Sequence, residues 1–545
     1  MCPCMVEKTK TARKYNTIAA VFVSGLFFCF WSYFYFPVYM NTDLGWLFIC
    51  LERFLQGGTY AQDFYETNPP LSFLVYLPSM ALYKFFDISA PFSIYLGTLF
   101  FITISGGLFY RLLRHMSLRF DLVLALMCGF VFSQTWLVGP SFGLKDHLIF
   151  LWLLPLCLLQ WQVTVSRKPT RGVAIPVAFL GALAICLKPH YALIPALFFI
   201  HRLTRERRLS ALLTSPDFLT IAVTGVFYIL IIFTVFPDYT QTILPATIAF
   251  YADETPFLVY ARLAYFSFAA LALGVVIFMI SEKDEMEDFK RCVYILCALG
   301  ALCFIPYALQ DKGYHYQTLP FLGFIFMALA TALFALSLKF IRNAPLSALL
   351  TYSLLSTCVF SFMAGSTGRF LTHSEFKNLS FHQKIDDLSW NKSYAVLAFK
   401  PLNLALPYYT DLTYGSRFGQ LWPLMGLSLK MQAATQEIEK QKIREQMQLY
   451  IGLIAEDLQR YSPGVIAIPR YAGNGRPAND NFLNFMLTNV HFAEQMNAYN
   501  FIESYTIDEH IFEKGGKRLS DKNTQVTYDL FVLRKNTPQV VTEQE

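Results

Sequence analysis

Long apolar runs alternate with short polar stretches up to about residue 365, where the pattern changes. Runs suited to a hydrocarbon layer roughly 30 Å thick predict spans at 17–40, 92–112, 120–138, 148–165, 172–187, 190–201, 218–236, 259–280, 292–309, 317–340 and 345–364. The short pair 172–187 and 190–201, basic at both flanks, reads as a hairpin broken at Lys188-Pro189-His190. Beyond residue 365 hydrophobicity drops. There SYAVLAF (393–399), GVIAIP (464–469) and VTYDLFVLR (526–534) predict strands, and MQAATQEIEKQKIREQMQLYIGLIAEDL (431–458) predicts one long helix. The pattern therefore describes a polytopic α-helical membrane protein of about 11 transmembrane helices with a C-terminal soluble α/β domain.

Charge orients these elements. Arg111, Arg114 and Arg119; Arg167, Lys168 and Arg171; Arg202, Arg205, Arg207 and Arg208; Lys283, Lys290 and Arg291; and Lys339 with Arg342 fall at alternate ends of the runs, as cytoplasmic loops do. The alternation requires that Leu71 to Phe86 not cross the membrane. The reading is a cytoplasmic amino terminus (1–16), a membrane domain (17–364) with an outer loop (41–91), and an outer-face domain (365–545). In the outer loop, Leu44, Leu47, Phe48, Leu51, Phe54 and Leu55 recur at helical spacing after Thr42 or Asp43 as N-cap, and Gly57-Gly58 supplies the stop. This predicts an amphipathic helix lying along the outer membrane surface.

Composition supports this class and removes others. Of 545 residues 55% are hydrophobic and 15% charged, too apolar for one soluble core. The net charge of +6 is spread over the loop clusters, which gives no nucleic-acid footprint. All eleven cysteines precede residue 360, so the C-terminal domain has no disulfide. No CxxC, HExxH or phosphate-binding glycine loop occurs. Asn378-Leu-Ser and Asn391-Lys-Ser match the glycosylation acceptor pattern, a match expected by chance.

Candidate chemistry lies on the outward side. Asp43 opens the loop helix, with Asp63 and Glu66 further along. Three other outward loops each bring a lysine and a histidine: Lys145 and His147 beside Asp146, Lys188 with His190, and Lys312 with His315. Charged residues at membrane depth are costly and mark function. Cations near a carboxylate suit a phosphate leaving group beside a nucleophile that must lose a proton.

Asp43 after the first span, LERFLQGGTYAQDFYETNPPLSFLVYLP, FGLKDHL, LKPHYAL and DKGYHYQ resemble the GT-C superfamily of integral-membrane glycosyltransferases, in particular the bacterial branch of protein O-mannosyltransferases and aminoarabinose transferases. The resemblance spans about residues 15 to 365. It implies a GT-C-like fold in the cell inner membrane, with a periplasmic carboxy-terminal domain, and a sugar moved from a polyprenyl-phosphate donor to a lipid, glycan or protein acceptor with inversion. It carries the catalytic role onto Asp43 and Asp146. Lys145, His147, Lys188, His190, Lys312 and His315 become donor-phosphate ligands, and Asp63 and Glu66 outer-loop substrate contacts. Asp43 stands without an adjacent acidic partner, which leaves open whether it acts as a bare base or through a divalent metal ion. The competing reading is a transporter or flippase of a lipid-linked or anionic substrate, with Lys188 and His190 along its path; no second copy of the Leu-Lys-Pro-His break accompanies it.

Overall fold

The computed structural model describes residues 38–116, 118–165, 169–250, 286–310, 315–367, 371–399, 403–470, 482–508 and 525–535, with scattered positions in 22–35 and residue 274. The chain divides into two compact units. The first is Met1–Pro37, Ile94–Leu230 and Asp253–Gly365; the second is Val38–Ser93, Ile231–Ala252 and Ser366–Glu545.

Among the described residues five helices are long and apolar enough to cross a membrane: Ala90–His115, Lys145–Thr164, Pro216–Val235, Glu287–Leu309 and Tyr316–Ile341. Phe120–Gln134, Arg171–Leu187 and Ala344–Val359 are shorter apolar helices. The run expected at 190–201 forms Leu193–Glu206. Its 14 residues rise only about 21 Å, and Arg202, Arg205 and Glu206 occupy its final turns. The expected span 259–280 and most of 17–40 lie outside the described residues. Pro216–Val235 presents a long apolar surface that the chain itself leaves uncovered. None of its apolar window is buried by the rest of the chain, and Val223, Phe227 and Phe233 are each more than 60% exposed.

The centre of the first unit is the opposite case, a helix (Lys145–Thr164) with 89% of its window buried. Small residues let its neighbours close on it. A Cβ at Gly181 would stand 2.5 Å from Leu156, and one at Gly323 would stand 2.0 Å from the Phe150 ring. With little hydrophobic force between helices in lipid, such close packing holds them together. At the far end of this helix, Gln160 Nε2 donates to Asp217 (3.0 Å) and Arg202 pairs with the same carboxylate (2.7 Å). Arg202, read from the sequence as part of a basic cluster at a cytoplasmic end, is 2% exposed.

The second unit holds a five-stranded sheet in the order β2-β1-β3-β5-β4, with β1 (Ser393–Val396), β2 (Thr413–Tyr414), β3 (Val465–Pro469), β4 (Tyr499–Asp508) and β5 (Gln525–Leu533). β1 runs parallel to β2 and β3, whereas β5 is antiparallel to β3 and β4. Every residue of β1 and β3 is buried, as expected of strands covered on both faces. The helix expected at 431–458 is two helices, Trp422–Ala433 and Glu437–Tyr461. Ala434 turns extended, and Glu437 and Glu439 then supply the acidic first turn of a new helix. β4 is formed by residues the sequence pattern left unassigned.

Val38–Ser93, which contains the stretch expected as the first outer loop, belongs to this unit. Its helix Thr42–Leu55 corrects the surface-helix expectation, because Leu44 to Leu51 are buried without interruption around the whole circumference. Protein covers it on every side. Gly45 lies against the Ala405 backbone, where a Cβ would stand 2.6 Å away, and Trp46 fills the space above Gly419. The run Leu71 to Phe86 forms two short helices, Leu71–Leu74 and Leu77–Phe85.

Candidate functional site

In the first unit, Lys145 and Asp146 occupy the first turn of the central helix, and the N-cap Leu144 offers no side-chain acceptor. Lys188 follows Arg171–Leu187 in an extended conformation (φ −142°, ψ 99°), the region to which a following proline drives its predecessor. This break brings Lys188 Nζ to 2.5 Å from Asp146 Oδ1. All three charged side chains are buried: Lys145 is 9%, Lys188 8% and Asp146 1% exposed. Burial holds the Lys188 amine below the usual lysine range; Asp146 draws it back up, and the charge of Lys145 lowers it further.

Among the described residues this cluster holds two ammonium groups and one carboxylate, and Lys145 forms no ion pair there. A buried net positive charge needs an anion. The helix N-terminus adds partial positive charge of the same sign. Nearby, His190 Nε2 is buried and has no hydrogen-bond partner among the described residues; neither does the hydroxyl of Tyr191. These are groups that an arriving ligand would satisfy.

His147 has a different task. Its Nδ1 accepts from the Gly143 N–H at 3.0 Å, which leaves Nε2 to donate to Gln134 Oε1 at 3.2 Å. Both nitrogens are used in pinning the loop before the helix. The side chain is thereby removed from the expected set of phosphate ligands, with no proton or lone pair left for a substrate. Lys312 lies outside the described residues, and His315 opens the short turn His315–Thr318.

In the second unit, Asn41 rather than Thr42 or Asp43 caps the loop helix, its Oδ1 accepting from the Asp43 N–H at 2.8 Å. Asp43 is half-buried in the first turn. Tyr39, whose ring stacks on Phe376 at 4.6 Å, lies within its electrostatic range. Among the described residues no three His, Cys, Asp or Glu side chains gather as a metal-ligand set.

Asp63 and Glu66 are brought into the framework rather than towards a ligand. Asp63 accepts from the Thr59 N–H (2.7 Å) and pairs with Arg460 (2.6 Å). Glu66, 5% exposed, accepts from Trp46 Nε1 (2.6 Å), from the Asn68 N–H (2.7 Å) and from the Asn68 side chain. Sequence reasoning missed Arg53, which donates to Asp63 O (2.6 Å), Ser416 O (2.7 Å) and Tyr414 O, and Arg417, whose Nε meets Asp457 Oδ1 at 2.6 Å. Arg53 carries a signal: it is a cation in the stretch that the sequence pattern places outside, where the positive-inside rule predicts few.

No family model and no curated protein matches the chain. Among solved structures, the apo form of ArnT from Cupriavidus metallidurans is similar at 11% identity, covering 94% of this chain and 97% of that one, with a TM-score of 0.48. The same protein bound to undecaprenyl phosphate is similar at 13% identity, covering 95% and 98%, with a TM-score of 0.48.

Proposed function

We propose that the chain is a membrane glycosyltransferase that moves a sugar from a polyprenyl-phosphate donor to a hydroxyl of a glycan, lipid or protein acceptor at the outer face of the membrane. The observation that carries this reading is the buried cluster of Lys145, Lys188 and Asp146 with its excess positive charge. In the proposed step the acceptor oxygen attacks the anomeric carbon from the face opposite the phosphate. The bond from that carbon to the phosphate oxygen breaks, and the electron pair leaves with the polyprenyl phosphate. The departing group gains a negative charge, which Lys145 and Lys188 stabilise more strongly in the transition state than in the bound donor. Asp146 holds Lys188 in place, and His190 offers a further donor to a phosphate oxygen. The acceptor hydroxyl loses its proton to a general base, the role that the family resemblance implies for Asp43. A single displacement of this kind inverts the anomeric centre.

The test is to present purified protein, in lipid nanodiscs, with a panel of polyprenyl-phosphate sugars and to follow transfer and slow hydrolysis. Turnover of one donor, lost in Lys188→Met, supports the reading. Absence of both reactions across the panel, with the donors shown to be intact and accessible to a control enzyme, rejects it.

A further inference from the structure

The second unit contains a cleft of about 510 Å³, within the range of roughly 300–1,000 Å³ typical of ligand sites. One face of the helix Glu437–Tyr461 builds its wall: Leu449, Leu453, Glu456 and Arg460 recur at helical spacing, apolar first and charged last. Tyr65 and Tyr450 form the floor, their hydroxyls 3.3 Å apart.

The charged end is built and rigid. Arg417, only 6% exposed, bonds Asp457 through Nε, Glu456 through one terminal nitrogen (3.0 Å) and Ala61 O through the other (3.2 Å). Each terminal nitrogen retains a second hydrogen, held in a fixed plane. Arg460 is likewise anchored on Asp63 (2.6 Å) and Gln62 O (3.2 Å). Glu456 keeps one carboxylate oxygen uncommitted, and its side chain is 62% exposed.

Charge decides the class of ligand. Two guanidinium groups, Arg417 and Arg460, face three carboxylates, Asp457, Glu456 and Asp63. The cleft is therefore poor at holding a phosphate or any other anion. Fixed N–H donors beside a carboxylate acceptor match adjacent hydroxyls, and tyrosine and leucine side chains match the apolar faces of sugar rings.

We propose that this cleft binds an uncharged oligosaccharide. Its link to turnover, as the seat of the acceptor glycan, rests on the transferase reading. The binding itself does not.

The experiment uses the full chain in nanodiscs and neutral trisaccharides of mannose, glucose, galactose and N-acetylglucosamine, each paired with its 6-phosphate. Saturation-transfer NMR and calorimetry read binding, and donor hydrolysis without acceptor is measured on the same samples. At least one neutral trisaccharide should bind, with its phosphate at least tenfold weaker. Glu456→Gln and Leu449→Asp alter side chains on the exposed wall and should each weaken binding by about tenfold or more, the scale of one lost hydrogen bond to a charged group. Melting behaviour and donor hydrolysis should stay unchanged. Failure of every neutral trisaccharide to bind overturns the proposal, as does tighter binding of a phosphate or indifference to both substitutions. Saccharide binding with neither donor hydrolysis nor sugar transfer upholds the cleft and rejects the transferase reading.

Discussion

Asp146→Asn separates an anion site from a structural ion pair. Asp146 is 1% exposed and its only ion pair among the described residues is with Lys188, at 2.5 Å. Removing one partner of such a pair leaves a buried charge unmatched, at a cost of about 3–5 kcal/mol. Lys188→Met should show that loss in full, because the buried carboxylate remains; the exposed control Arg208→Ala should stay within about 0.5 kcal/mol of the parent. Asp146→Asn has the further effect of releasing Lys188 beside Lys145, so the cluster should bind a short polyprenyl phosphate more tightly than the parent does. Freeing one charged hydrogen bond, worth about 1.5–3 kcal/mol, corresponds to roughly tenfold or more in affinity. Farnesyl phosphate is a suitable probe, read by calorimetry and by the rise in melting temperature that it confers on each variant. If Asp146→Asn binds farnesyl phosphate no better than the parent while Lys188→Met melts normally, the excess-charge reasoning is wrong.

Asp43→Asn should lower turnover by roughly 10²-fold or more with an unchanged melting temperature, since Asn41 and not Asp43 caps the helix; an active variant removes Asp43 from the mechanism. Gly323→Ala should destabilise the protein by about 1–3 kcal/mol through overpacking against Phe150, whereas Gly225→Ala, with nothing within 4 Å, should not; equal melting temperatures would refute the close-packing account. His382, 1% exposed, donates from Nδ1 to Phe376 O, and burial lowers its pKa to about 4 from 6.5. The unfolded chain therefore binds the proton more readily, so this contribution of at most about 3 kcal/mol is complete above pH 6.5 and lost as pH falls towards 4. Comparing the acid limb of the melting profile with that of His382→Gln checks the sign; an identical limb would exclude His382 as its source.

Much of the helical layout was legible because apolar periodicity and length are local properties. Ala90–His115 and Leu319–Ile341 both lie close to the predicted runs. The break at Lys188 was legible for the same reason, since a proline restricts the residue before it. What escaped was non-local. Glu66 reads as a substrate ligand until Trp46, twenty residues earlier, is seen to donate to it. His147 reads as a phosphate ligand until Gln134 and the Gly143 backbone take both its nitrogens. Asp146 and Lys188, 42 positions apart, carry no mark in the sequence that they pair. The helix Thr42–Leu55 has the amphipathic spacing of a surface helix, but Gly45 and Trp46 dock onto residues 405 and 419 and cover its other side.

The clamp made by Arg53 sets an order of events during synthesis. Its acceptor at Ser416 lies 363 residues downstream, and the Tyr39 N–H pairs with Leu371 O. While the ribosome extends the intervening chain, the loop carrying Asp43 has none of these partners, and its buried apolar helix must wait in an unfinished state. Such long-range closure slows folding and leaves sticky intermediates exposed. A nascent chain stalled before residue 366 should accordingly keep this loop protease-sensitive and engaged by chaperones. Deleting the C-terminal residues would then silence the protein by leaving Asp43 without a scaffold, even if no side chain in the deleted part takes part in the chemistry.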